Sequence, residues 1–457
     1  MDAATRALVR AAEAEGTAAA WTAAARALAR AGLADEAGRA ALHLLALGED
    51  PAPAGVTAPP LEAFTVRRVV GERFGLGRVS ALAWSADGGT LFAGAGEVLA
   101  AVDAASGAVR RVTTLPGPVR VVGPDLAGAR VAVAWCERLA THEHAVGSAV
   151  AVVDVPTGEV VARRPLAREW FEAATLVCPE GHVVFATRQA ARAWRLDDLG
   201  APRAHRAVRG DAVSVGPGGF AAVMRGAQLL LFDPLARSPR ARSGPVLAGP
   251  DLFGPGTTPR VAGRGAVVWE REPSERGEPA STARARRVAP DGALSAPLRL
   301  SYVPRAAAEA ASPCGRILAH LVEPAERSRV TRASAVVLVD LASGAARRLD
   351  LGGPLPRALA WSPGASTLAV GTDEGTIPLI SAAPAPATPA PPATADGWLE
   401  LVRGDRFWRA RADLDAVEVH YGLRGAAGQR RRTPSSDPAG ELARRAKEKA
   451  REGYAPA

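Results

Sequence analysis

The fold of this chain is decided by a stretch that occurs twice. The later copy is Ala358-Leu-Ala-Trp361-Ser-Pro-Gly-Ala-Ser-Thr367-Leu-Ala-Val-Gly371, and the earlier copy, 277 residues before it, is Ala81-Leu-Ala-Trp84-Ser-Ala-Asp-Gly-Gly-Thr90-Leu-Phe-Ala-Gly94. In each copy two short apolar runs flank a turn rich in small residues, which is typical of two antiparallel strands. Because the repeat begins and ends a long region, it indicates a closed array of similar units.

Five further units lie between the two copies. The seven units start near Val79, Val119, Phe171, Gly210, Leu252, Pro304 and Leu355. Three of them contain a turn in which an Asp accepts backbone hydrogen bonds and a Gly allows positive φ: Val102–Gly107, Val153–Gly158 and Val339–Gly344. Units of about 40 to 45 residues built from such strands predict a seven-bladed β-propeller over residues 61–381.

This region resembles the WD40-like β-propellers. Asp373-Glu-Gly-Thr-Ile377 is close to the strand-opening pattern of that family, and Ser85-Ala-Asp87-Gly88 is close to its preceding turn. The signature Trp-Asp pair is replaced by Val102-Asp103, Val153-Asp154, Phe232-Asp233 and Val339-Asp340. The resemblance implies a divergent ring that binds other proteins. Trp84 and Trp361 hold equivalent blade positions, so we expect both to be packing residues.

An early strand has no hairpin partner of its own. Phe64-Thr-Val-Arg-Arg-Val-Val70 is strand-like, whereas the last unit lacks a final strand. We therefore expect Phe64–Val70 to pair with the segment around Ile377 and to close the ring, which protects edges that an open sheet exposes.

Three units carry an extra segment between their second and third apolar strands: Glu137–His144, Arg271–Ala283 and Glu323–Ala333. Insertions at equivalent positions project from one face of the ring, which is commonly the binding face. The candidate protein-binding residues are Arg138, His142, His144, Glu275, Arg276, Glu326, Arg327 and Arg329. The alternative is loop growth that the surface tolerates.

Helices and linkers flank the predicted ring. Residues 1–50 predict a helical cap that resembles a single tetratricopeptide hairpin, with Thr17 or Asp35 as N-caps; a true repeat array is the alternative. Residues 51–60 form a Pro-rich linker and residues 382–395 an Ala/Pro-rich one, both expected to be extended.

Residues 396–457 predict a small α+β domain. Gly397–Val402, Arg406–Arg411 and Val417–Tyr421 alternate like strands, and a helix follows in which Asp437-Pro438 forms the start and Gly453 the end. Between Arg424 and Arg451 there are nine basic and three acidic residues.

The C-terminal segment resembles the WGR domain, a module of poly(ADP-ribose) polymerases and many bacterial proteins. The matching residues are Phe407-Trp408, Tyr421 through Gln429, and Glu448 through Tyr454, although Tyr421 replaces the family Trp and Leu423 stands at the Arg position. In the polymerases the Trp-Gly-Arg region contacts a DNA end, which implies nucleic-acid binding here. The candidate residues are Tyr421, Arg424, Gly425, Gly428, Gln429, Arg430, Arg431, Arg432 and Lys449. A solvated charged turn is the alternative.

Composition restricts the function classes. Cys136, Cys178 and Cys314 are odd in number and widely spaced, which argues against disulfides or a zinc site and favours the cytoplasm. No nucleotide-binding glycine motif or nucleophile elbow occurs. His142 and His144 offer two metal ligands, with polar loop residues as the alternative, so we expect neither metal nor cofactor.

The chain is therefore predicted to be mainly β: a helical segment, a seven-bladed propeller and a WGR-like domain. We expect a non-enzymatic scaffold that binds a protein through the propeller and nucleic acid or a second protein through the C-terminal domain. One alternative is a DNA- or RNA-binding protein, and the other is an enzyme that uses the central channel of the propeller.

Overall fold

The molecule is described by a computed structural model, in which two compact units comprise Met1–Pro384 and Ala385–Ala457. The structure describes residues 1–47, 49, 58–70, 77–138, 145–167, 171–177, 182–187, 190–196, 199, 206–210, 212–216, 220–233, 241–245, 259–262, 265–271, 283–300, 309–322, 335–351, 355–382, 398–412, 416–423, 428–434 and 438–456.

The first unit contains, in its described residues, seven sheets of four antiparallel strands each. Sheets 1 to 3, in the order in which their strands neighbour one another, consist of Val79–Trp84, Thr90–Ala95, Val98–Asp103 and Val109–Thr114; Val119–Pro124, Arg130–Arg138, Ala145–Asp154 and Val160–Ala167; and Phe171–Val177, His182–Thr187, Ala190–Arg195 and Arg206–Arg209. Sheets 4 and 5 consist of Ala212–Val215, Ala221–Arg225, Gln228–Phe232 and Ala241–Pro245; and Arg260–Ala262, Gly265–Arg271, Ala283–Val288 and Leu298–Leu300. Sheets 6 and 7 consist of Glu309–Ala311, Ile317–Val322, Ala335–Asp340 and Ala346–Asp350; and Pro356–Trp361, Thr367–Thr372, Ile377–Ser381 and Thr65–Val70.

The first strands of the sheets form the inner ring of this unit. Each contacts the first strand of the next sheet, and the first strand of sheet 7 contacts that of sheet 1. Apolar side chains fill the space between neighbouring sheets; Phe92 and Leu99 of sheet 1, for example, share a buried cluster with Val131 and Trp135 of sheet 2. A cyclic series of small antiparallel sheets is typical of a β-propeller.

The early strand closes the ring as the sequence predicts. Thr65–Val70 pairs antiparallel with Ile377–Ser381, with Thr65 opposite Ser381 and Val70 opposite Ile377. Phe64, which is fully buried, meets the edge of the Trp361 ring at 5.6 Å between centroids. The outermost strand of sheet 7 therefore comes from the beginning of the chain.

The two equivalent tryptophans join neighbouring sheets. The indole Nε1 of Trp84 donates to the carbonyl of Ala360 in sheet 7, and that of Trp361 donates to the carbonyl of Ala310 in sheet 6, both at 3.0 Å. Ala360 and Ala310 hold equivalent positions in their first strands, so one contact repeats at two junctions. The prediction that both residues serve packing is confirmed.

The recurring Asp-to-Gly turns connect the third and fourth strands of sheets 1, 2 and 6. The carboxylate of Asp103 accepts from the Ser106 amide at 2.6 Å, and that of Asp154 from the Thr157 amide at 3.0 Å. Gly158 has a φ of +74°, which explains why glycine stands at the end of this turn.

Sheet 4 begins at Ala212, two residues after the predicted start near Gly210. The first described strands of sheets 5 and 6 begin at Arg260 and Glu309, whereas Leu252 and Pro304 lie outside the described residues.

The N-terminal segment has three helices, of which the second and third span the region from Trp21 to Ala41 where the hairpin is predicted. They are α1 (Ala3–Glu15), α2 (Ala18–Arg30) and α3 (Ala34–Ala46), and α2 contacts both of the others. Thr17 caps α2 as predicted, but α3 has Leu33 at its N-cap with no side-chain hydrogen bond, because Asp35 lies one residue inside the helix.

Helix α3 lies directly on a turn of sheet 7. A Cβ at Gly38 would approach the Pro363 carbonyl oxygen to 2.1 Å, so only glycine permits this contact. His43 of α3 stacks on Trp21 at 3.9 Å. Burial, with a smaller effect of Arg39, lowers the pKa of His43 to about 4, so the ring is neutral at pH 7. The three helices thus form a cap anchored on the ring.

The C-terminal unit is a five-stranded antiparallel sheet with one helix. The strands, in neighbouring order, are Gln429–Pro434, Ala416–Leu423, Arg406–Ala412, Leu399–Arg403 and Ala455–Pro456, and the helix α4 is Pro438–Arg451. Leu442 and Ala446 of α4 pack on one face of the sheet, against Trp408, Val417 and Val419 among others. The sequence-based prediction does not include the strands Gln429–Pro434 and Ala455–Pro456. Within the described ranges, no helix combines the length and apolar character that crossing a membrane requires.

Candidate interaction surfaces

The connections between second and third strands lie on one face of the ring, here called the insertion face. Because successive strands run in opposite directions, this is also the face where each first strand begins. Sheets 1 and 4 make the connection with two residues, whereas residues 139–144, 272–282 and 323–334 provide it in sheets 2, 5 and 6. The prediction that the three insertions occupy equivalent positions is confirmed by the strands that flank them.

Most predicted protein-binding residues lie outside the described residues. They are His142, His144, Glu275, Arg276, Glu326, Arg327 and Arg329. Arg138 is the last residue of the second strand of sheet 2, next to residues 139–144, so its backbone lies at the insertion face. Within the described part of the chain, no group of three His, Cys, Asp or Glu side chains is placed to hold a metal ion.

Three arginines, here called the arginine trio, stand at or next to the starts of first strands on the insertion face. Arg78 directly precedes the first strand of sheet 1, and Arg120 and Arg357 are each the second residue of the first strand in sheets 2 and 7. Burial and the charges of Arg357 and Arg120 lower the pKa of Arg78, while Asp373 opposes this effect. These three residues are not among the predicted binding residues, although Arg120 and Arg357 hold equivalent repeat positions.

One carboxylate, that of Asp373, lies close to Arg357 and opposes the lowering of the pKa of Arg78. Asp373 lies in the short connection of sheet 7, where its Oδ2 is 3.9 Å from Nη2 of Arg357 and its Oδ1 accepts from the Leu355 amide at 2.9 Å. The Nε of Arg357 is buried and has no hydrogen-bond partner. Arg357 therefore has one donor without an acceptor among the described residues.

A buried ion pair joins the first strands of sheets 5 and 6. Nε of Arg260 lies 3.1 Å from Oε2 of Glu309, and the Glu309 side chain is only 5% exposed. Breaking a buried pair is costly because it leaves an uncompensated charge. This carboxylate therefore makes a structural contact between two neighbouring sheets.

The C-terminal sheet has two chemically different faces. Alternate residues along each strand point to opposite sides, and the side away from the core carries four arginines, here called the arginine face: Arg409, Arg411, Arg430 and Arg432. In one row, His420 lies between Arg430 and Arg409. In the other row, Glu418 lies between Arg432 and Arg411. The register thus aligns the arginines in two rows across three strands.

Neighbouring side chains hold the inner pair of these arginines. Nε of Arg409 donates to Nδ1 of His420 at 2.9 Å, and Arg411 forms an ion pair with Glu418 at 2.8 Å. The guanidinium carbons of Arg409 and Arg411 lie 5.1 and 4.8 Å from the ring centre of Trp398. Such contacts fix the direction of both guanidinium groups. The outer pair, Arg430 and Arg432, is exposed at the edge strand.

The structure separates the predicted nucleic-acid residues. Arg430 and Arg432 share the arginine face, whereas Arg431 is opposite Val419 and belongs to the helix side. The alternative of a charged turn is wrong at these positions, because Gln429–Pro434 is a strand that pairs with Ala416–Leu423.

The remaining predicted residues have separate roles. Tyr421 donates to Oε1 of Gln429 at 3.0 Å, and Lys449 of α4 contacts Glu452 and the ring of Tyr454. Gly428 has a φ of +63° beside His420, while Arg424 and Gly425 lie outside the described residues. Arg409 and Arg411 were missed, although their alternation in Arg406–Arg411 is a visible signal.

Comparison with known proteins identifies no family. No protein-family model matches the chain, and no curated protein matches it in sequence. In structure it is similar to the Cps50 (Swd1) β-propeller domain of Myceliophteria thermophila, with 14% identity and a TM-score of 0.49 over 70% of this chain and 99% of that chain. It is also similar to a chain of a mitotic checkpoint complex, with 12% identity and a TM-score of 0.48 over 71% of this chain and 95% of that chain.

Proposed function

We propose that residues 61–381 form a seven-bladed WD40-like β-propeller that acts as a non-enzymatic scaffold and binds a protein partner through the insertion face. The observation that carries this proposal is the common position of the three inserted segments, which leave the ring on the face where the first strands begin. Loops on a rigid framework are where proteins usually place their binding residues. Their mixed charges suit a protein surface better than a polyanion.

The test is affinity capture of partners from the source cells by the full chain. In the variant, residues 139–144, 272–282 and 323–334 are each replaced by Gly-Ala, which is the connection that sheet 4 uses at Gly226-Ala227. We expect at least about a tenfold loss of captured partner, since removing a hot-spot cluster costs 2 kcal/mol or more.

The matched control for partner capture is Ala105→Glu, which adds charge to the turn between the third and fourth strands of sheet 1, on the opposite face. This variant should capture the same proteins in unchanged amounts. Circular dichroism checks that each variant is folded. Equal capture by the loop-shortened variant would overturn the proposal.

We propose as a second function that residues 396–457 are a WGR-like domain that binds nucleic acid through the arginine face. The observation that favours it is the arrangement of four arginines on one side of the sheet, with Trp398 beneath two of them. Arginines in rows supply the sequence-independent phosphate contacts that make up most of non-specific nucleic-acid affinity. This face differs from the Trp-Gly-Arg region of the family, where Tyr421 and Leu423 now stand.

The double variant Arg430→Gln/Arg432→Gln is expected to weaken binding of DNA and RNA oligonucleotides. Each lost phosphate contact lowers the slope of log affinity against log salt by about 1, so the slope should fall by about 2. Arg431→Gln is the matched control, because the same charge is removed from the opposite side of the same strand. Filter binding by the full chain at several salt concentrations measures both slopes. If Arg431→Gln weakens binding as much per residue, the arginine face is not the site.

A further inference from the structure

We propose that the outer circumference of the ring binds single-stranded nucleic acid. This surface is formed by the fourth, outermost strands of the seven sheets, here called the arginine rim. The proposal goes beyond both functions given above. The arginine rim differs from the insertion face, and it lies in the first unit, whereas the arginine face lies in the C-terminal unit.

The arginine rim concentrates the basic residues of the chain. Its seven strands contain twelve arginines and one acidic residue, Asp350, whereas the seven first strands contain three arginines and two glutamates. Outside the rim, basic and acidic residues are nearly equal in number, since the whole chain has 56 and 47. Exposure to water explains why outer strands are charged, but it does not explain a single sign, because ordinary surfaces mix both signs. A surface of one sign indicates a ligand of the opposite sign.

Exposed arginines occur in all seven strands of the rim. Arg67, Arg111, Arg209 and Arg242 are exposed in sheets 7, 1, 3 and 4, and sheets 2, 5 and 6 each contribute at least one more. Exposed ion pairs, such as that of Arg348 with Asp350, contribute little and exchange readily with other anions. Because the sheets follow one another around a closed ring, the positive charge extends over the complete circumference.

Contacts between sheets hold some of these arginines in place. In sheet 1, Nη1 of Arg110 donates to the Val155 carbonyl at 3.3 Å, and in sheet 6, Nη1 of Arg347 donates to the Leu61 carbonyl at 2.7 Å. Val155 directly follows the third strand of sheet 2, and Leu61 lies shortly before the outermost strand of sheet 7. A carbonyl oxygen positions a guanidinium group without neutralising its charge. Positive charge therefore lies between neighbouring sheets as well as on their outer edges.

The shape of the arginine rim decides which polyanion fits it. Since the exposed arginines lie on every side of the ring, a flat anionic membrane meets only the few sheets nearest to it. Duplex DNA has a persistence length of about 150 base pairs, so following the curve of the ring costs it bending energy. A single strand bends freely and carries one phosphate per nucleotide. Single-stranded nucleic acid is therefore the polyanion that can contact consecutive sheets at once.

The composition of the rim also predicts how the ligand is held. In the ranges given for its strands, the arginine rim contains no Phe, Tyr or Trp on which bases could stack. Arginine side chains and the unpaired backbone N–H groups of an edge strand are donors to phosphate oxygens. Binding should therefore depend strongly on salt and little on base sequence.

The experiment measures binding of a fluorescent oligothymidylate to the full chain by anisotropy at several salt concentrations. In the variant Arg67→Gln/Arg111→Gln/Arg209→Gln/Arg242→Gln, we expect the affinity to fall at least about tenfold. The slope of log affinity against log salt should fall by about 3, since each phosphate contact to a single strand contributes about 0.7. For a duplex of equal length the slope should fall by about half as much or less, because a stiff duplex reaches only a few sheets at once.

The matched control is Arg6→Gln/Arg10→Gln/Arg26→Gln/Arg30→Gln, which removes the same charge from exposed positions of helices α1 and α2. It should leave the affinity and the slope nearly unchanged. Lysine at the four substituted rim positions keeps the charge and should retain the slope. Circular dichroism and size-exclusion chromatography check that each variant is folded and not associated, because charges on edge strands also keep sheets apart.

Four results would overturn the inference: an unchanged slope in the glutamine variant of the rim, an equal loss in the helix control, an equal loss in the lysine variant, or an equal decrease for the duplex. If the fourfold glutamine variant does not fold, Arg111→Gln/Arg242→Gln provides the same test with about half the expected decrease in slope.

Repeating the measurement in the Arg430→Gln/Arg432→Gln chain separates this site from the arginine face. The rim substitutions should lower the slope by the same amount in both backgrounds. A decrease caused only by Arg430→Gln/Arg432→Gln refutes the rim as a binding site and leaves the arginine face standing. A decrease caused only by the rim substitutions refutes the arginine face and leaves the rim standing.

Discussion

Replacing Trp361 with alanine is expected to lower the free energy of unfolding by about 3–5 kcal/mol, the usual cost of removing a large buried aromatic side chain. Trp361 is only 7% exposed and contacts Phe64, which directly precedes the closing strand, while its indole donates to Ala310 of sheet 6. The substitution therefore removes contacts where sheet 6, sheet 7 and the beginning of the chain meet. Urea unfolding followed by tryptophan fluorescence and circular dichroism measures the change.

Trp361→Phe separates the two contributions to this effect. Phenylalanine retains most of the apolar contact but leaves the Ala310 carbonyl without the indole donor, and one unsatisfied buried group costs about 1–3 kcal/mol. Val161→Ala, at a side chain 48% exposed in the outer strand of sheet 2, is the control and should change stability by less than about 0.5 kcal/mol. A loss below about 1 kcal/mol in Trp361→Ala would contradict the described junction.

Gly371→Ala is expected to destabilise the ring by about 1–3 kcal/mol through overpacking. A Cβ at position 371 would lie 2.5 Å from Cγ1 of Val79, at the junction of sheets 7 and 1. The same contact occurs at the next junction, where a Cβ at Gly94 would lie 2.5 Å from Cγ1 of Val119. Neighbouring sheets thus approach closely wherever the second strand has glycine opposite a valine of the next sheet.

A double-mutant cycle tests this explanation of Gly371. Val79→Ala removes the methyl groups that a new Cβ would strike, so it should restore part of the stability lost in Gly371→Ala, with a coupling energy of about 0.5–3 kcal/mol. Gly77→Ala, where no atom lies within 4 Å of a new Cβ, is the control. Additive effects of the two substitutions would show that the close approach is absent. Chemical unfolding of all four proteins provides the data.

Part of the candidate sites follows from local sequence alone. The inserted segments stand out because the repeats without them pass directly between their strands, and the strands that flank residues 139–144 and 323–334 bear this out. The basic character of Gln429–Pro434 is equally plain in the sequence. The sequence does not show which of its arginines lie on which face of the sheet, because that depends on the pairing with Ala416–Leu423. A register shift of one residue would move Arg431 to the arginine face and would move Arg430 and Arg432 to the helix side.

Repeats, turn residues and strand periodicity by themselves determined the mainly β class and the Asp-to-Gly turns, because these features depend on residues that are neighbours in the chain. They also determined the pairing of the early strand with the segment around Ile377, because the last unit lacks a fourth strand. Only the tertiary structure decided that the starts of first strands in sheets 7, 1 and 2 become neighbours, and that Arg409 and Arg411 join Arg430 and Arg432. Residues far apart in the chain become neighbours through ring closure and strand register, which depend on the summed packing of all sheets and not on any local pattern.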